Sequence, residues 1–213
     1  MSERGYGQFC GFARALEIVG DRWALMIVRD LLVGPKRFSD LHAGLPKIPT
    51  NVLAARLKQL EAAGVAERRA LPRPPGGVAY ELTSRGRALE ESVVAIGRWG
   101  AKLLDVPRDG EIVTVDSLAM ALRTTFRPEA AADLRARFEL HIGELVVHAI
   151  VDGPAIAVGR GPVEKPDLIV ESSPALKELM SGEITPRQAL ANGAMRITGS
   201  RKLFDRFAQV FRI

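Results

Sequence analysis

Apolar residues recur at helical spacing through the first half of the chain, and alternate with polar ones through much of the second. Leu16 and Val19 share a face with Trp23, Met26 and Ile27, which predicts a core-facing helix through RWALMIVRDLLVG. Asp21 is its expected cap, and Gly34 and Pro35 its stop. Ser39 is placed to cap a short helix, DLHAGL, that Pro46 ends. Thr50 is placed to cap a third helix, from Asn51 to about Ala63, with Gly64 as a left-handed terminator. VAERRAL and VAYEL read as two strands joined by PRPPGG. Thr83 is expected to cap one long final helix, SRGRALEESVVAIGRWGAKLL.

The second half has a different grammar. DLRARFELHIG and ELVVHAIVD alternate as half-buried antiparallel strands do, and AIAVGRG and DLIVES read as further strands. PALKELMSG, TPRQALANG and RKLFDRFAQVF read as helices, with a strand MRITGS before the last. The expected fold class is α+β: an N-terminal winged helix-turn-helix, mostly α with a two-stranded wing, and a C-terminal α+β domain on an antiparallel sheet. VPRDGE supplies the seam, giving domains 1–106 and 107–213.

Charge sharpens the picture. Of 30 Lys/Arg and 25 Asp/Glu, residues 1–106 hold 16 and 11, whereas residues 107–213 hold 14 and 14. The window from Lys36 to Arg73 holds eight cations against three anions, so it matches the whole surplus. Such a local excess attracts polyanions or simply forms a solvated face.

The helix from Asn51 shows how a polyanion would be read. Leu53, Leu57 and Leu60 make its buried stripe. Asn51, Ala54, Ala55 and Lys58 then face outward, with Thr50 at the start. Small side chains let a helix approach a major groove closely, and Asn pairs bidentately with adenine. Arg56 either reaches a phosphate or pairs with an acid such as Glu61. Lys36, Arg37 and Ser39 open the preceding helix, where backbone N–H groups favour phosphate. Arg68, Arg69 and Arg73 lie along the hairpin, in reach of backbone or a flanking minor groove. Thr50 has the plainer reading of a cap alone, and each cation that of a solvated charge.

CGFARALEIVGDRW, KRFSDL, LAARLKQLEAAG and YELTSRG, in that order and spacing, resemble the HxlR-type winged-helix transcriptional regulators over residues 10–104. The resemblance implies double-stranded DNA as partner, a homodimer, repression as the commoner outcome, and a bacterial cytoplasm. It makes the helix from Asn51 the recognition helix and PRPPGG the wing. Leu89, Val93, Ile96 and Leu103, with Trp99, independently suggest a dimer seam on the last helix, or else a face packed on the chain's own core. Cys10 lies where some members carry a cysteine that responds to oxidants, but GFAR follows it instead of Pro-Val-Glu. A buried, inert thiol is the first expectation and a redox-active one the second.

The tail, strongest after Pro166, resembles the sterol carrier protein type 2 family over about residues 112–213. That implies a sheet covered by helices around an apolar tunnel, with Leu176, Leu179, Met180, Leu190, Met195, Phe204, Phe207 and Phe211 as candidate lining or as ordinary core. The leading expectation is a one-component regulator whose C-terminal domain senses a small apolar or lipid-like effector, or adds dimer contacts. The alternative is a lipid-binding or carrier protein whose winged helix serves mainly for dimerisation. One cysteine, three histidines at no metal-ligand spacing and no phosphate-binding loop point to no cofactor, no metal and no enzyme. The start lacks the apolar core of a signal peptide, and no apolar run reaches membrane length, so neither export nor a membrane is expected.

Overall fold

The computed structural model describes residues 5–72, 76–105, 107–172 and 175–213. Two compact units divide the chain, Met1–Val93 and Val94–Ile213.

In the first unit α1 (Gly11–Val19), α2 (Ala24–Val33), α3 (Phe38–Gly44) and α4 (Thr50–Ala62) lead into a hairpin of β1 (Ala66–Ala70) and β2 (Val78–Leu82). The core forms where the apolar stripes meet: Ile27, Leu31, Leu41, Leu45, Leu53, Leu57 and Leu60 are all fully buried. Gly64 ends α4 at φ +65°, as its lack of a Cβ allows. β1 and β2 pair antiparallel with Arg68 opposite Tyr80, and a backbone bridge from Lys36 to Tyr80 extends the ladder on the far side of β2.

Three expected caps are corrected. α2 begins after Trp23, and Asp21 contributes only its backbone carbonyl, which accepts from Ala24. α3 starts one residue before Ser39, and Asp40 caps it by accepting from the Arg37 N–H at 2.9 Å. Pro49 is the cap residue of α4, so Thr50 is already helical. Thr83 does cap, accepting from the Gly86 N–H at 3.1 Å. The helix it opens is not one long rod, however. α5 (Ser84–Arg87) ends after one turn, and α6 (Glu90–Ala101) starts anew.

In the second unit, which takes up the later part of α6, a five-stranded sheet runs in the order β5-β4-β3-β6-β7. Its strands are β3 (Arg135–Ile142), β4 (Leu145–Asp152), β5 (Ala155–Arg160), β6 (Leu168–Ser172) and β7 (Met195–Gly199). Most neighbours are antiparallel, as the alternating pattern predicts, but β3 and β6 run parallel. After the β3–β4–β5 meander the chain crosses back to the free edge of β3, and the return direction makes that pair parallel. α7 (Val115–Thr125), α8 (Leu176–Ser181), α9 (Pro186–Ala191) and α10 (Arg201–Val210) complete the unit. α7 is a helix that the alternating pattern of this half does not predict. Its signal was the capping box at Thr114, whose hydroxyl accepts from the Ser117 N–H while the Ser117 hydroxyl accepts from the Thr114 N–H.

Candidate nucleic-acid interface

The face of α4 divides as its sequence predicts. Leu53, Leu57 and Leu60 are at most 1% exposed, whereas Asn51, Ala54, Ala55 and Lys58 are exposed. A helix whose outer side carries one amide, two methyls and a cation one turn on has a shape that fits a groove. Thr50 is exposed beside them, its Oγ1 3.4 Å from His42 Nε2. Lys47, in the turn before α4, is also exposed, and like Lys58 it carries no ion pair among the described residues. His42 and Lys47 extend the polar rim of this face. The GLPKIPT turn was the signal for Lys47, and His42 becomes its neighbour only through folding.

The cations around this face do not behave alike. Lys36 is 3% exposed and its Nζ donates to the Gly34 carbonyl at 3.2 Å, so the expectation that it meets phosphate is corrected. Its own backbone pairs with Tyr80 of β2, donating at 2.9 Å and accepting at 2.7 Å. Ser39 is exposed in the first turn of α3. The Arg37 guanidinium donates to the Gly76 carbonyl at 2.6 Å, across the fold to the wing. Arg56 pairs with Asp21 and also donates to Gln59; Glu61, its expected partner, pairs instead with Arg68 at 3.0 Å. Arg68 lies over the Tyr80 ring, 5.6 Å from its centroid, and Arg69 pairs with Glu81 across the hairpin at 3.1 Å. Both wing arginines remain more than half exposed, so these pairs are weakly held and exchangeable for other anions. Arg73 lies outside the described residues.

Along α6 and its flanks the expected seam splits. Val93 is buried and Leu89 half-buried within the chain, which corrects their placement on a free seam. Ile96, Trp99 and Leu103 are 52%, 68% and 66% exposed at a spacing of three and four residues. Within the second unit, Arg98 of the same helix donates to the Thr124 and Phe126 carbonyls at 3.1 and 3.4 Å.

Cys10 is exposed, so the buried-thiol expectation is overturned. It sits one residue before α1, where the backbone N–H groups of Ala13 and then Phe12 hold its thiol below the ordinary cysteine range.

Of the residues suggested for an apolar tunnel, all but half-buried Leu190 are buried. The phenylalanines fill the space between sheet and α10 with their own rings. Phe207 lies 4.8 Å from Phe211 and 5.4 Å from Phe138, centroid to centroid, and Phe126 lies 5.9 Å from Phe211. On the sheet's other face, buried Glu139 accepts from the Val163 N–H at 2.9 Å and bonds His141 Nε2 at 2.6 Å. His141 borders an open cleft of about 330 Å³ with Glu171 and Arg196. Among the described residues, no group of acidic, histidine or cysteine side chains is placed to hold a metal ion, and no helix is long and apolar enough to cross a membrane.

Two family models match the chain. The HxlR-like helix-turn-helix model covers residues 18–107, and the SCP-2 sterol transfer family model covers residues 119–212. The uncharacterized HTH-type transcriptional regulator YvaP of Bacillus subtilis (strain 168) is 39% identical over 94 residues, 44% of this chain and 87% of YvaP. The HTH-type transcriptional regulator YodB of the same organism is 39% identical over 85 residues, 40% of this chain and 76% of YodB. Among solved structures, the redox regulator HypR in its oxidized form aligns at 32% identity and a TM-score of 0.43, over 46% of this chain and 100% of that one.

Proposed function

This chain belongs to the HxlR-like helix-turn-helix family, and from that premise we propose that it is a cytoplasmic one-component transcriptional repressor that binds operator DNA as a homodimer. The observation that carries the reading is the division of α4: a leucine stripe wholly buried, and a groove-sized polar side left exposed at Asn51, Ala54, Ala55 and Lys58. The wing arginines Arg68 and Arg69, and Arg73 beyond them, supply contacts to the flanking backbone.

Ile96, Trp99 and Leu103 support the dimer, because two large apolar side chains on α6 and a third just past its end are costly to leave in water. A two-fold protein then matches a palindromic site. The C-terminal unit adjusts DNA affinity, by binding a small apolar effector among the residues of α8 and α10 or by adding dimer contacts. The carrier reading is weaker, because it leaves the basic surplus between Lys36 and Arg73 and the exposed polar side of α4 without a use.

A mobility-shift assay with the DNA upstream of the chain's own gene tests the function. A saturable shift that survives excess nonspecific DNA is expected. Binding no tighter than to random sequence would remove the regulator reading and leave the carrier.

A further inference from the structure

We propose that Arg37 is a positioning residue that sets the wing at its working angle to α4, and is not itself a DNA contact. The inference rests on the DNA-binding reading of this unit.

The segment before α3 is tied to the wing twice. Lys36 donates its N–H to the Tyr80 carbonyl at 2.9 Å, and Tyr80 returns an N–H to Lys36 at 2.7 Å. One residue on, the Arg37 guanidinium donates to the Gly76 carbonyl at 2.6 Å, on the returning arm of the hairpin. The first tie holds the middle of β2, and the second holds the arm that leads into it. That arm is shaped to admit the guanidinium. Gly77 has φ +109°, and a Cβ added there would lie 3.0 Å from Arg37 Nη1. Its carbonyl also accepts from the Leu71 N–H at 2.9 Å, which closes the hairpin across from β1.

The consequence is mechanical. α3 leads directly into the turn that starts α4, so a bond from Arg37 to the wing couples the wing's direction to the reading helix. A charged donor on a carbonyl is among the stronger hydrogen bonds, and the planar guanidinium holds a direction that a lysine ammonium does not. Arg37 is also half-buried, unlike exposed Lys58.

The test uses the full chain and the variants R37K and G77A. Both keep every charge near the wing except that R37K exchanges one cation for another. Hydroxyl-radical footprinting of wild type on its operator should protect a core and two flanks. Each variant should keep the core, lose the flanks and bind about tenfold more weakly, the loss expected for one charge-assisted hydrogen bond. In the free protein, amide exchange at Gly76 and Gly77 should accelerate in R37K while α4 stays unchanged. Flanks retained by R37K, or exchange at Gly76 and Gly77 unaltered, overturns the inference alone. A wild type that protects no DNA overturns the function and the inference with it.

Discussion

Arg56 and Asp21 form an ion pair that ties the middle of α4 to the turn between α1 and α2. The guanidinium of a helix meant for a groove thus points along the protein surface. The pair is partly exposed, so its loss should be mild: Arg56→Ala is expected to cost at most about 1 kcal/mol in urea unfolding. Asp21→Asn should match it, and the double variant should lose less than the sum. DNA affinity should keep its salt slope in Arg56→Ala, and a slope reduced by about one would mark Arg56 as a phosphate contact after all.

Asn51 and Lys58 should separate base reading from backbone attraction. Asn51→Ala is expected to weaken operator binding by about 1–3 kcal/mol while nonspecific binding changes little. Lys58→Ala should weaken both alike and lower the salt slope by about one. Competition binding at several salt concentrations measures both, and equal losses on all sequences for Asn51→Ala would take it out of base readout.

Asp116 and Arg160 join the first turn of α7 to β5, with Nε to Oδ1 at 2.6 Å and a second contact on Oδ2. Asp116 is 1% exposed and the Arg160 side chain 36%, so Asp116→Ala takes the buried partner from a guanidinium that water partly reaches. A loss of about 1.5–3 kcal/mol is expected in denaturant unfolding, as for a charge-assisted hydrogen bond with one partner buried. A loss within about 0.5 kcal/mol, the range of an ordinary surface substitution, would show that water already reaches the pair.

Phe207 is fully buried and touches the rings of Phe138, Phe204 and Phe211. Phe207→Ala should cost about 3–5 kcal/mol and leave an apolar cavity. Such a cavity is expected to take up benzene, with a rise in melting temperature that the wild type does not show. An equal rise in wild type would mean that the rings already part for ligands.

Cys10 should react by pH in a set direction. Its folded thiol pKa lies below the ordinary cysteine value, so at a given pH the native chain carries the larger fraction of thiolate. Alkylation by iodoacetamide near neutral pH should therefore be faster in the native protein than in urea, after correction for urea's effect on a free thiol. A slower native rate would show that access outweighs ionisation.

Much of the fold was legible because local rules and tertiary packing agree. The stripe of Leu53, Leu57 and Leu60 needs only helical periodicity, and Gly64 only a positive φ. The strand order of the tail was not legible: alternation identifies each strand but carries no information on its neighbour, so the parallel pair β3–β6 came as a correction. The break between α5 and α6 was hidden too, since SRGRAL has no helix-breaking proline. The first turn is held by Thr83, which donates to the Gly64 carbonyl at 2.6 Å, and that partner is distant in sequence.

The candidate interface follows the same division. By itself the sequence determined which residues of α4 face out, because periodicity fixes a helix's two sides. Only the tertiary structure decided where the cations go, because a long flexible side chain takes its partner from whatever folding brings near: Lys36 turned inward, Arg56 met Asp21, Arg37 reached the wing. The exposure of Cys10 was likewise beyond local reading, since it depends on what packs over the start of α1. Periodicity is a property of the chain; pairing and exposure belong to the fold.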